Sequence, residues 1–269
     1  MSKIIIHGGF FSESSTNIET KIAKQQALLR IVKDSYAYLQ NHSALETVVY
    51  AVSQLEDDEL FNAGIGSQIQ SDGKIRMSAS LMDGESQKMS GVINIEEVKN
   101  PIQVAQVLMQ VDDRILGGSG ATNFARKHGF ESFSTEIPQR RAEYEAKLAS
   151  LGTGTVGCVA LDNNGKIAVA TSTGGKGFEI PGRISDSATV AGNYANEFCG
   201  VSLTGVGEDI VSNATAAKIV TRVTDGFSIE KAFEKTFAEL KPYDGFAGAI
   251  GIDKQGNIFH QDSHPSMVF

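Results

Sequence analysis

Cysteine is scarce in this 269-residue chain: Cys158 and Cys199 are too few for a disulfide framework or a cysteine metal cluster. Positive charge is also short. Lys and Arg number 24 against 32 Asp and Glu, a formal net charge of −8. That balance argues against nucleic acid or an anionic membrane as partner, since both need clustered cations. No apolar run approaches the roughly 18 residues of a membrane span. The opening Met1-Ser2-Lys3-Ile4-Ile5-Ile6-His7 enters a strand at once, and its apolar part is too short for a signal-peptide core of about 7–15 residues. Repeats and low-complexity tracts are lacking. What remains is an ordinary globular composition, 41% hydrophobic and 21% charged, and a reduced, cytoplasmic compartment is expected.

The length allows one α/β domain or two small ones. Residues 3–6 read as a buried strand before the turn Gly8-Gly9. Thr16 or Asn17 is a candidate cap for a long helix whose Ile18, Ile22, Ala23, Leu28, Leu29, Val32 and Tyr36 are spaced for one face. A second helix is predicted over 43–55, with Val48, Val49, Ala51, Val52 and Leu55 inward. Strands follow at 76–82 and 89–95, and helices at 101–111 and 120–128. Residues 132–154 are polar and end in Gly152-Thr153-Gly154, which marks them as a linker. Beyond it come a hairpin (155–161 with 166–172), helices at 208–224 and 228–240, and a closing hairpin (246–252 with 257–260). Strand blocks alternating with paired helices suit two stacked sheets with helices outside, a four-layer αββα sandwich.

The run Gly154-Thr155-Val156-Gly157 carries the most chemical information. Threonine is a weak nucleophile unless a base stands beside it, and its own α-amine serves once the chain is cut before it. Such an amine has a pKa of about 7.7–8.0, close enough to neutrality to accept the hydroxyl proton. The run suggests a precursor that cleaves Gly154–Thr155. An ordinary β-hairpin would look the same from this stretch alone.

Segments spread along most of the chain resemble the plant-type L-asparaginase and isoaspartyl peptidase family of N-terminal-nucleophile hydrolases. They are His7-Gly8-Gly9; Leu55-Glu56-Asp57-Asp58 with Phe61-Asn62-Ala63-Gly64-Ile65-Gly66; Ala79 to Gly84; Lys99-Asn100-Pro101-Ile102; Gly154 to Gly175; Pro181-Gly182-Arg183 with Asp186-Ser187; and Thr204-Gly205-Val206-Gly207-Glu208. Each is weak alone, and their joint occurrence in this order is specific. The resemblance implies the αββα fold over 1–269 as a single domain, self-cleavage into an α subunit (1–154) and a β subunit (155–269), and a dimer of such units. It implies Thr155 as nucleophile, Thr173 as the threonine that hydrogen-bonds it, and Asn62 as a supporting residue. Thr204 and Gly205 match an oxyanion hole, with Gly207 beside them on the substrate. Arg183 and Asp186 match the pair that grips the substrate's α-carboxylate and α-ammonium.

The same resemblance implies no catalytic cofactor but a structural sodium ion in the 55–65 loop, held by the carbonyls of Leu55, Glu56, Asp58, Phe61, Ala63 and Ile65. Blander accounts stand beside each assignment: a satisfied strand threonine at 173, a helix start near 204, a surface salt bridge at 183 and an acidic surface loop at 55–65. Gly117-Gly118-Ser119-Gly120 lacks the lysine of a phosphate loop, and His260 and His264 lack co-ligands for a metal. Glu179, Ser185, Ala188 and a shortened 191–194 stretch depart from the family pattern, as do Ser78 and the 262–267 ending. Most of them surround the substrate side. The expected reaction is therefore amide hydrolysis of L-asparagine and β-aspartyl dipeptides. The alternatives are a glycosylasparaginase-like hydrolase, disfavoured by Gly154, or an unprocessed binding member.

Overall fold

The computed structural model describes residues 1–10, 18–146, 154–243 and 245–263. The expected cap at Thr16 or Asn17, Gly152-Thr153 and His264 lie outside these residues.

One sheet takes β1 (Lys3–His7), β2 (Met77–Asp83), β3 (Lys88–Ile95), β4 (Ile115–Gly117), β5 (Thr155–Leu161) and β6 (Ile167–Thr173), in spatial order β1-β5-β6-β2-β3-β4. A second holds β7 (Asn193–Ala195), β8 (Cys199–Gly205), β9 (Ala247–Asp253) and β10 (Ile258–Asp262), in order β10-β9-β8-β7. All pairings are antiparallel except β3 with β4. The helices are α1 (Ile18–Leu39), α2 (Ala44–Glu56), α3 (Pro101–Leu108), α4 (Gly118–Lys127), α5 (Pro138–Glu145), α6 (Gly207–Asn213), α7 (Thr215–Thr224) and α8 (Ile229–Ala238).

The central strands are buried from end to end, and their two-residue side-chain period divides them between two cores. Val156, Cys158 and Ala160 of β5, with Ala168 and Ala170 of β6, join α1 through α4 in one cluster. Val159, Leu161, Ile167 and Val169 face the opposite way, against Ile250 and Ile252 of the second sheet. On the far side of that sheet, Val201, Leu203 and Ala249 meet Ile219 and Val220 of α7 and Phe233 and Phe237 of α8. The helix at 44–56 starts on a capping box: Glu46 N donates to Ser43 Oγ (3.2 Å), and Ser43 N to Glu46 Oε2 (3.0 Å).

Several sequence expectations change. Ile22, Leu29 and Tyr36 point outward, 44–54% exposed, because α1 turns Ala27, Leu28, Ile31, Ser35 and Leu39 to the core. The 132–154 segment is not linker throughout, since 138–145 is helical behind Pro138. Arg140 Nε donates to Gly66 O (2.9 Å), and Tyr144 stacks on Phe178 at 5.1 Å, so tertiary contacts hold a helix with an exposed, polar sequence. The single helix expected at 208–224 is two, broken at Ala214, which is left-handed at φ 51°. There Ala216 N donates to Ala191 O rather than back into α6 (2.8 Å). Thr204 is no helix cap, because it lies within β8.

Candidate active site

Thr155 opens β5 directly opposite Thr173, the last residue of β6. Both are buried, and Thr155 Oγ1 donates to Thr173 Oγ1 at 3.3 Å. Thr173 Oγ1 in turn donates to the Gly154 carbonyl oxygen at 3.2 Å and accepts from Gly175 N at 3.2 Å. A hydroxyl has one proton and two lone pairs, so this arrangement uses all three. The Gly154 oxygen also accepts from Asn62 Nδ2 at 2.8 Å. Asn62 is held in place by Gln68 N on its Oδ1 (3.0 Å) and by its own carbonyl accepting from Gly174 N (2.9 Å). The Gly154–Thr155 peptide thus has two donors on its carbonyl oxygen and a hydroxyl adjacent.

Gly9 fits closely behind that peptide. Its φ is +85°, and a Cβ there would stand 2.8 Å from Thr155 N, so only glycine is accommodated. His7 is buried in the same region, with Nε2 2.9 Å from Ser202 Oγ. Burial pushes its imidazole down to about 3 and keeps it neutral.

A short 3-10 turn, Asp186–Ala188, links this cluster to a second one. Ser187 Oγ lies 3.4 Å from Thr155 Oγ1, while the preceding Asp186 faces Gly207 and Arg183. A Cβ at Gly207 would come within 2.8 Å of Asp186 Oδ1 and 3.0 Å of Arg183 Nη2. Asp186 is buried and its Oδ2 has no hydrogen-bond partner among the described residues. Burial pushes its carboxyl up to about 7, against the pull of the Arg183 guanidinium. Arg183 itself is paired: Nε donates to Glu208 Oε1 (2.7 Å) and Nη2 to Glu208 Oε2 (3.0 Å). These bonds hold the Glu208 carboxyl down to about 2. Glu179 is buried nearby with Oε2 unpartnered among the described residues. A cavity of about 580 Å³ lies over Lys176, Phe178, Glu179, Arg183 and Glu208.

Thr204 and Gly205 end β8, which packs against β5, β6 and the Asp186–Ala188 turn. Thr204 is fully buried and pairs with Gly248, and Gly205 pairs with Ala247. Ser187 and Glu208 have no role that sequence pattern assigns: nothing in the chain order announces the contact of Ser187 with Thr155 or of Glu208 with Arg183.

The loop after α2 is compact. Glu56 O accepts from Ile65 N (2.7 Å) and Asp58 O from Phe61 N (3.1 Å), while Leu55, Glu56, Phe61 and Ala63 are fully buried. Gly66, at φ +88°, has no Cβ to fill the space 2.7 Å from Glu59 O and 2.9 Å from Phe61 O. The acidic start contributes less charge than its letters suggest. Burial pushes Glu56 up to about 8, with Oε1 accepting from Ser172 Oγ (2.6 Å) and Ile102 N (3.1 Å). Asp58 pairs with Arg30 at 3.0 Å. Of the six carbonyls expected to hold a cation, those of Glu56 and Asp58 accept backbone hydrogen bonds within the loop itself.

Elsewhere chemistry is sparse. Among the described residues no group of three or more His, Cys, Asp and Glu is placed to hold a metal, and no helix is long and apolar enough to cross a membrane. Cys158 and Cys199 are free and buried, and burial pushes both thiols up. His260 sits within β10, away from any such group.

The sequence profile of the asparaginase family matches residues 1–150 and 132–269. The chain is 46% identical to an isoaspartyl peptidase/L-asparaginase of Synechocystis sp., over 95% of this chain and 83% of that protein. It is 36% identical to the isoaspartyl peptidase of Escherichia coli (95% and 88%) and 35% identical to a plant-type L-asparaginase of Pyrococcus furiosus (96% and 92%).

Proposed function

The chain belongs to the asparaginase family, and on that premise we propose that Thr155, released by cleavage of its bond to Gly154, is the nucleophile that hydrolyses L-asparagine and β-aspartyl dipeptides to L-aspartate. The protein is a hydrolase. The observation that carries the proposal is the relay from Thr155 Oγ1 through Thr173 Oγ1 to the Gly154 carbonyl oxygen.

In the uncut chain, Thr155 Oγ adds to the Gly154 carbonyl carbon while Asn62 and Thr173 hold the developing oxyanion. Collapse expels the Thr155 nitrogen, which takes up the proton given up by Oγ and leaves as the free amine, and the resulting ester is hydrolysed by water. The freed α-amine then takes the proton from Oγ when Thr155 attacks the substrate's side-chain amide carbon. Ammonia or the leaving amino acid departs, and water releases aspartate from the acyl-enzyme. Thr204 and Gly205 supply the oxyanion hole of this second reaction. Arg183 grips the α-carboxylate and Asp186 the α-ammonium, with Gly207 leaving room for both.

The rest of the reading follows from the same premise. The three cores support a four-layer αββα sandwich of the N-terminal-nucleophile type, a single domain that becomes α (1–154) and β (155–269) subunits in a cytoplasmic dimer of αβ units. The 55–65 loop, through the carbonyls of Leu55, Glu56, Asp58, Phe61, Ala63 and Ile65, would hold a structural sodium ion that braces Asn62. Aspartate release from asparagine, β-Asp-Leu and a glycosylasparagine tests the function. Turnover of the first two with little of the third is expected, and comparable turnover of the glycosylated substrate would overturn the assignment.

A further inference from the structure

Glu208 lies in the first turn of α6, and both of its carboxylate oxygens engage Arg183. A guanidinium offers two forked edges: Nε with Nη2 along its side, and Nη1 with Nη2 at its end. Glu208 fills the side edge. Among the described residues Nη1 has no hydrogen-bond partner, so the end edge is the one left for a ligand. The Arg183 backbone is fixed as well, since its N donates to Ile180 O (3.0 Å) and its carbonyl accepts from Asn94 Nδ2 (3.2 Å).

We propose that Glu208 is a positioning residue for substrate recognition: it clamps the side edge of Arg183 so that the end edge is presented to the substrate's α-carboxylate. The inference rests on reading Arg183 as the carboxylate clamp. An arginine side chain held only by its backbone samples many rotamers, and each carboxylate bound must then stop that motion. With Glu208 in place the plane of the fork is set in advance. Its Nη2 corner stands beside Gly207, as does Asp186 Oδ1, so the carboxylate and ammonium of a single α-carbon are read by adjacent groups. Lys176, 3.4 Å from Glu208 Oε1, offsets part of the added negative charge. The opposite role, in which Glu208 competes with substrate for Arg183, predicts the reverse kinetic effect.

Glu208 is 53% exposed on its side chain, so the pair adds little to fold stability and substitution leaves the protein folded. The test compares cleaved wild type with Glu208→Ala and Glu208→Gln, using two analogues of asparagine as inhibitors. Succinamate keeps the carboxylate and lacks the amine, and 3-aminopropanamide keeps the amine and lacks the carboxylate. In Glu208→Ala the KM for asparagine should rise roughly tenfold with kcat changed less than about twofold, and Glu208→Gln should fall between. Inhibition by succinamate should weaken in parallel while 3-aminopropanamide is unaffected. An unchanged or lowered KM, or equal weakening of both inhibitors, overturns the inference while leaving the hydrolase reading intact. A cleaved wild type that hydrolyses neither asparagine nor a β-aspartyl dipeptide refutes that reading, and this inference with it.

Discussion

Thr155 and Thr173 face each other across the β5–β6 register, and their hydroxyl oxygens are 3.3 Å apart. Thr173 also donates to the oxygen of the Gly154 carbonyl, whose carbon Thr155 would have to attack, so one side chain touches both the nucleophile and its target. Cleavage should therefore depend on both residues. Thr155→Ala should leave the chain full length, and Thr173→Val should slow cutting by roughly a hundredfold, the scale of losing one oxyanion donor. Intact-mass analysis over time resolves fragments 1–154 and 155–269. A Thr155→Ala chain that still divides at this bond would remove Thr155 from the reaction.

Arg183→Lys keeps the charge and loses the fork. It should lower kcat/KM by at least about tenfold while cleavage at Gly154–Thr155 proceeds, because Arg183 lies in the second cluster and makes no hydrogen bond to Gly154. Steady-state rates on the cleaved variant decide the matter. Near-wild-type values would place Arg183 outside the site.

Asp186 gives the free enzyme a second group titrating near neutrality. Its carboxyl is pushed up to about 7 by burial, and the released Thr155 amine is expected at about 7.7–8.0. As pH falls both gain protons, which removes the counter-charge for the substrate ammonium and the base for Oγ. The acid limb of kcat/KM should then be steeper than that of kcat, since bound substrate keeps Asp186 ionised. Limbs of equal slope would show that Asp186 does not titrate in the free site.

Glu56 predicts a pH dependence of stability rather than of rate. The folded chain holds its proton up to about pH 8, whereas the unfolded chain releases it near pH 4.3, so stability falls as pH rises between those values. Glu56→Gln removes the titration and keeps an oxygen for Ser172 and Ile102. Its melting temperature should exceed that of wild type at pH 8 and approach it at pH 5. A uniform loss at both values would mean that the carboxylate is ionised in place.

The carbonyl loop can be tested without mutation. Melting temperature and activity should be highest in sodium chloride when compared with potassium and choline chloride at equal ionic strength. Identical values in all three would show that the loop closes without a metal.

The sequence made visible what depends on local order. The threonine between two glycines, the inward valines of α2 and the Asp-Asn-Asn-Gly hairpin turn at 162–165 needed no partner from elsewhere. Where distant groups decide, it misled or was silent. Ile22, Leu29 and Tyr36 lie seven residues apart and therefore share a face of α1, yet spacing cannot say which face meets the sheet. The strand at 199–205 alternates Cys199, Val201 and Leu203, which meet α7 and α8, with Ser202, whose hydroxyl meets His7 and Thr171 of the other sheet; only those distant partners bury the polar face. The α5 helix has no buried residue and is held by Gly66, Ser71 and Phe178 from other segments. The Arg183–Glu208 clamp spans 25 residues, from a loop position to the first turn of α6. Local pattern has no access to such pairs.

The strand order β1-β5-β6-β2 places two strands from beyond Gly154 between two that precede it. A cut at Gly154–Thr155 would leave fragments woven through one sheet, neither able to complete it alone. Refolding would change from a first-order event within one chain to an encounter of two, each exposing unpaired strand edges in the meantime. Mature protein, once denatured, should recover poorly and in proportion to its concentration, while uncut Thr155→Ala refolds freely. The cut would convert an equilibrium fold into one whose persistence is set by how slowly it opens.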